Sequence, residues 1–279
     1  LSRMITRLES EQSVKEYLDI MDHRKTEQLI DTLDKVEQNR KECYIREFSI
    51  EHFHDSKVFE TLIPKICKIF REENEELTGF ENEEILAEYQ IYKTPGYVYM
   101  KGNVQIYSAG KQAADISAFP EGIAVAVGSE EDVPDICPDQ TIDKVFTIEN
   151  LTSFYRFKQE HSLVIYLGGY HNRSRRNLLM QIYQKLPDAQ YYHFGDLDAG
   201  GFYILEHLKR KTGIPFQMFQ MDIETLKKYE DYAKPLTEND KKRLMQLEKM
   251  ELPDEERKLI TYMLQKGIKL EQECISESQ

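Results

Sequence analysis

From residue 145 to residue 219 short β-prone runs alternate with helical ones, and this alternation limits the possible folds more than any other feature. Val145-Phe146-Thr147-Ile148, Leu163-Val164-Ile165-Tyr166-Leu167, Gln190 to Phe194 and Pro215 to Phe219 read as strands. Asn150 to Glu160, Asn172 to Leu186 and Ala199 to Thr212 read as the helices between them. Strands separated by helices are joined by right-handed crossovers, which gives an α/β fold with a parallel sheet flanked by helices. Ligands of such sheets collect beyond the carboxyl ends of the strands.

Acids and glycines stand at those ends. Glu149 follows the first strand, Gly168-Gly169-Tyr170-His171-Asn172 the second, and Gly195-Asp196-Leu197-Asp198-Ala199-Gly200-Gly201 the third. In an extended segment residues two apart point the same way, so Asp196 and Asp198 can face one cation while Glu149 approaches from the neighbouring strand. Hard oxygen donors with positions left for water and phosphate suit Mg²⁺ or Mn²⁺. Taken singly, each acid has a plainer reading: Asp198 as the cap of the helix at Ala199 and Glu149 as a solvent-facing acid. Their shared placement is what favours a metal site.

The flanking regions read differently. Residues 12 to 42 carry Val14, Tyr17, Leu18, Met21, Leu29, Ile30, Leu33 and Val36 at helical spacing, and a second helix is expected over about 57 to 76. Tyr97 to Tyr107 reads as a β-hairpin on a Gly102-Asn103 turn, and helix plus hairpin outline a winged-helix module. Turn formers and acids cluster from Gly128 to Asp139. The predicted domains are a helical arm over 1–50, a winged-helix-like α+β domain over 51–135, and the α/β domain with a helical extension over 140–279.

Charge and cysteine content narrow the function classes. The 279 residues carry a net charge of -13, which disfavours a general nucleic-acid binder. Residues 141 to 219, however, hold ten Lys/Arg against seven Asp/Glu, so DNA contact through this segment stays open. Cys43, Cys67, Cys137 and Cys274 match no zinc spacing and are expected to be reduced. With no long apolar run and no signal-peptide pattern, a cytoplasmic location and no membrane partner are expected. The chain begins at Leu1 rather than Met, as a piece of a longer protein would.

The segments Thr147-Ile148-Glu149-Asn150-Leu151-Thr152-Ser153-Phe154, Tyr166-Leu167-Gly168-Gly169-Tyr170-His171-Asn172, Phe194 to Phe202 and Lys269-Leu270-Glu271-Gln272-Glu273 together carry a resemblance. The order strand-Glu-Asn, strand-Gly-Gly, strand-Gly-Asp-x-Asp-x-Gly-Gly resembles the Toprim domain of topoisomerases and primases. The fuller set resembles the JetD family of Wadjet plasmid-defence systems, over roughly residues 40 to 279. The resemblance implies a homodimeric, metal-dependent DNA nuclease related to the topoisomerase VI A subunit and working with an SMC-like motor complex. It also implies Glu149, Asp196 and Asp198 as metal ligands and catalytic residues. Candidate phosphate partners are His171, Arg173, Arg175 and Arg176 at the start of the second helix, where amides favour anions. Glu271 and Glu273 read either as ligands of a second metal or as part of an exposed terminal helix. No tyrosine stands in a context that marks a nucleophile, which favours hydrolysis by water over a covalent adduct. The competing readings are an inactive DNA-binding or assembly subunit and a strand-passage subunit.

Overall fold

The structure is a computed structural model that describes all residues except 1, 16, 18–20, 75–76, 78–79, 94–95, 109, 128–133, 169–172 and 276–279, and of residues 2–4, 96, 173 and 174 the backbone alone. The chain divides into two compact units, Leu1–Thr94 and Pro95–Gln279.

The first unit holds α1 (Ser2–Glu9), α2 (His23–Gln38), β1 (Cys43–Tyr44), α3 (Ile45–Phe53), α4 (Val58–Glu73), α5 (Asn82–Glu88) and β2 (Ile91–Tyr92). Among the described residues the helix expected over 12 to 42 is realised as α2. Asp22 starts it by accepting from the Lys25 amide at 3.1 Å, and Asn39 ends it in an extended conformation. The second expected helix is α4, buried through Phe59, Ile66, Cys67, Ile69 and Phe70. Ser49 pins its start: its hydroxyl accepts from the Phe59 amide at 3.0 Å and donates to the Asp55 carbonyl. β1 and β2 pair in parallel over two residues, Cys43 with Ile91 and Tyr44 with Tyr92.

The second unit opens with β3 (Gly96–Lys101), β4 (Val104–Ser108), β5 (Lys111–Asp115), β6 (Ile123–Val127) and β7 (Asp135–Pro138). The expected hairpin on Gly102-Asn103 does not form. β3 pairs antiparallel with β6 on one side and with a later strand on the other, while β4 pairs with β5 and β7. Val98 and Met100 are fully buried, so β3 inserts into the main sheet, and the bend at 102–103 passes the chain from that sheet to a smaller one.

The α/β alternation follows as β8 (Lys144–Ile148), α6 (Leu151–Arg156), β9 (Ser162–Tyr166), α7 (Arg173–Lys185), β10 (Gln190–Phe194), α8 (Ala199–Thr212) and β11 (Gln217–Met218). The chain then adds α9 (Ile223–Lys228), β12 (Lys234–Pro235), α10 (Glu238–Leu247), α11 (Asp254–Lys266) and β13 (Ile268–Lys269). The main sheet has the order β11-β10-β8-β9-β3-β6. β11, β10, β8 and β9 are parallel, and β3 and β6 convert the far edge to antiparallel pairing. The sheet is therefore mixed, which corrects the purely parallel expectation.

Both sheet faces are covered. Val145, Leu163, Ile165 and Tyr191 pack with Leu178, Leu179 and Ile182 of α7 and with Leu205 and Leu208 of α8. On the other face Phe146, Ile148, Val164 and Phe194 pack with Phe154 of α6, Leu226 of α9, Leu244 of α10 and Ile260 of α11. Burial on both faces accounts for the apolar run of β9 and for that of β8, which only the buried Thr147 interrupts. Among the described residues no helix is long and apolar enough to cross a membrane.

Candidate metal centre

Register places the acids. Phe194, Ile148 and Tyr166 are hydrogen-bonding neighbours across β10, β8 and β9, so the three strands end at one level. The Glu149 amide extends the β8–β10 pairing by donating to the Phe194 carbonyl at 3.1 Å. Glu149 thus leaves the sheet beside Gly195, with Asp196 one residue further along the neighbouring strand.

The backbone at this edge admits the acids only because two positions lack a side chain. A Cβ on Gly195 would stand 2.6 Å from Glu149 Oε2 and 2.8 Å from His193 Nε2, closer than such atoms approach. A Cβ on Gly201 would overlap the Asp196 carbonyl oxygen. Gly195 therefore lets the Glu149 carboxylate lie against the β10 end, and Gly201 lets α8 begin on top of the Asp-x-Asp turn.

Asp198 is the N-cap of α8, its Oδ1 accepting from the Gly201 amide at 3.0 Å. The capping reading is thus correct for one oxygen, and Oδ2 is the atom Asp198 can offer a ligand. Asp196 Oδ1 accepts from the Gln272 amide at 2.7 Å. Burial is the largest influence on this carboxyl, and with the charges of Asp198, Glu273 and Glu271 it outweighs that hydrogen bond, so its pKa rises to about 6.

The described part of the terminal segment, to Ile275, is tied to the acidic edge through a 3-10 turn, with Glu273 itself left exposed. Leu270 bridges Leu197 through reciprocal backbone bonds of 2.9 and 3.1 Å, and residues 272–274 form a 3-10 turn. Gln272 is fully buried and ties three elements together. Its amide holds Asp196, its Oε1 accepts from the Asn150 amide at 2.9 Å, and its Nε2 donates to the Phe194 carbonyl at 3.0 Å. Glu273 Oε1 accepts from the Asn150 side chain at 2.5 Å, and Glu271 pairs with Lys234. Nothing in the sequence marks Gln272, because a lone glutamine between two acids has no periodicity that signals burial.

His193 was missed as well. It is fully buried on β10, and burial pushes its pKa down to about 3. Thr147 Oγ1 lies 3.1 Å from the Tyr192 carbonyl and 3.0 Å from His193 Nδ1, and it holds the ring in place. The ring's Nε2 faces the Glu149 side of Gly195 and has no partner among the described residues.

Arg175 on α7 donates to the carbonyls of Leu167 and Tyr97, which fastens the helix start to the ends of β9 and β3. Arg176 is half-buried on the same helix. Arg173 opens α7, but its side chain, like His171 entirely, lies outside the described residues.

The donor set suits a hard divalent ion in chemistry, since several carboxylates share one partly buried sheet edge and Asp196 is short of positive charge. Among the described residues, however, no three of His, Cys, Asp and Glu stand close enough to enclose one ion. The fit is therefore to an ion held by one or two carboxylates and completed by water and phosphate, the usual coordination of Mg²⁺. All four cysteines are free, and burial raises Cys67 to about 12 and Cys43 to about 11, so neither thiol is a ligand in waiting.

The chain is 28% identical over 263 residues to the Wadjet protein JetD of Bacillus cereus (strain Q1), a match covering 92% of this chain and 63% of that protein. The chain therefore spans less than two thirds of the length of this curated relative. Residues 131–279, more than half of the chain and all of the acidic edge, match the family described as Wadjet protein JetD, C-terminal, and the chain belongs to that family.

Proposed function

We propose that this chain is a Toprim-type, metal-dependent DNA endonuclease acting in Wadjet defence against plasmids and other foreign circular DNA, as a homodimer and with an SMC-like motor complex. The observation that carries the reading is the meeting of Glu149, Gly195-Asp196 and the Asp198 cap at the carboxyl edge of adjacent parallel strands. Membership of the JetD family supports it.

One or two of Glu149, Asp196 and Asp198 would hold each Mg²⁺ or Mn²⁺ ion, which when bound supplies a Lewis acid for a phosphodiester oxygen and lowers the pKa of water. Gln272 fixes Asp196 Oδ1 and leaves Oδ2 for the ion. Asn150 and Gln272 hold the β8 end against the β10 end, so the acids on the two strands keep a fixed spacing. The buried surroundings of Asp196 limit water and strengthen each charge interaction there.

Relaxation of supercoiled plasmid in Mn²⁺, with and without motor partners, tests this reading. Asp196→Asn and Glu149→Gln are each expected to slow cleavage by about a hundredfold or more. Cleavage by both variants at the wild-type rate would remove the acidic edge from the reaction. That no three acids among the described residues close a cage favours one alternative, a DNA-binding assembly subunit with a silent acidic edge, and in that case no metal-dependent cleavage arises under either condition.

A further inference from the structure

Beside the acidic edge lies a groove of about 430 Å³, lined by Thr152, Tyr155, Arg156, Lys158, Phe194 and Glu273 among others. It begins where the metal centre ends, since Phe194 precedes Gly195 and Glu273 is bonded to Asn150. Arg156 and Lys158 are exposed, and neither forms an ion pair or hydrogen bond within the described part of the molecule. Tyr155 between them is 41% exposed, its ring set edge-on to Phe154 at 5.5 Å. Lys158, Phe157 and Glu121 also line a second cavity of about 820 Å³ toward the opposite end of the sheet.

Two cations without an ion pair here flank an exposed aromatic ring beside the acidic edge. Cations that track a phosphate backbone, with an aromatic face on which bases stack, are the elements of single-strand recognition. Arg175, by contrast, is already fastened to two carbonyls.

We infer that this groove is the track along which one DNA strand reaches the acidic edge, with Arg156 and Lys158 on successive phosphates and Tyr155 under a base. The inference rests on the nuclease reading for its direction but not for its test. Glu121 and Glu273 also line the groove. Glu273 belongs to the end where a divalent ion would offset it, whereas Glu121 opposes the strand.

The test is fluorescence anisotropy of labelled single-stranded and duplex oligonucleotides with the full chain in EDTA, which separates binding from cleavage. Wild-type protein is expected to favour the single strand. Reversing both charges, Arg156→Glu with Lys158→Glu, is expected to weaken binding at least about tenfold and to flatten the salt slope by about 1.4, the value for two lost phosphate contacts. The milder Arg156→Gln with Lys158→Gln guards against misfolding and is expected to flatten it equally. Tyr155→Ala is expected to weaken binding about tenfold with an unchanged slope, and Glu121→Gln to tighten it. The exposed Lys249→Glu is the control for overall charge. A salt slope in the Arg156 and Lys158 variants equal to wild type, or losses no larger than for Lys249→Glu, would overturn the inference. Groove-dependent binding without Mn²⁺-dependent cleavage leaves the track standing and removes the nuclease reading, and cleavage with groove-independent binding does the reverse.

Discussion

At the scale of single residues the site depends on atoms that are absent as much as on those present. Gly201→Ala places a methyl group against backbone, which no rotamer change relieves, so it is expected to cost about 1–3 kcal/mol in chemical denaturation and to displace Asp196. His193 sets a pH dependence of its own. Its folded pKa, about 3, lies below the ordinary value near 6.5, so its buried neutral ring contributes stability above pH 6.5 that is lost as the pH falls toward 3. Between pH 7.5 and 5.5 the wild type is expected to lose roughly 1 kcal/mol more than a His193→Gln variant in parallel urea titrations. A pH response identical in the two proteins would mean the ring is not held neutral. Glu149, Asp196 and Asp198 were legible in the sequence because strand ends and Asp-x-Asp spacing mark them. Gln272 and His193 were not, since their importance comes from what folds onto them.

At the scale of elements the alternation of β8 to β11 with α6 to α8 was readable because burial on both faces writes apolar runs. β10 and α8 have the expected bounds, whereas α6 stops at Arg156, four residues early. Lys101 explains the short helix: its ammonium takes the carbonyls of Phe154 and Phe157 at 2.6 Å and closes the helix end. The docking of the terminal segment was hidden because β12 and β13 are two residues each and their pairing is long-range. Gln272→Ala leaves the Asn150 amide and the Phe194 carbonyl without their side-chain partner, and a loss of about 2–4 kcal/mol is expected in thermal or chemical denaturation. Glu271→Ala removes only an exposed ion pair with Lys234 and is expected to change stability by less than about 1 kcal/mol. Equal losses in the two variants would mean that Gln272 is not the staple.

At the scale of the whole molecule the compact units do not divide at the turn-rich stretch that the sequence offers. Turn formers at 128–139 suggested a boundary there, but the units part between Thr94 and Pro95, because β3 and β6 complete the sheet that begins at β8. A fragment starting at residue 96 is expected to fold cooperatively. One starting at residue 140 lacks two strands of its sheet, with Val98 and Met100 from its core, and is expected to be molten by near-ultraviolet circular dichroism. The acidic edge of the larger unit is the feature on which the functional reading turns. Titration of the full chain with Mn²⁺, followed by the loss of the free-ion electron paramagnetic resonance signal, tests it most directly. Saturable uptake that falls away in Asp196→Asn is the expected result, and uptake that is absent in the wild type or unchanged in the variant would contradict it.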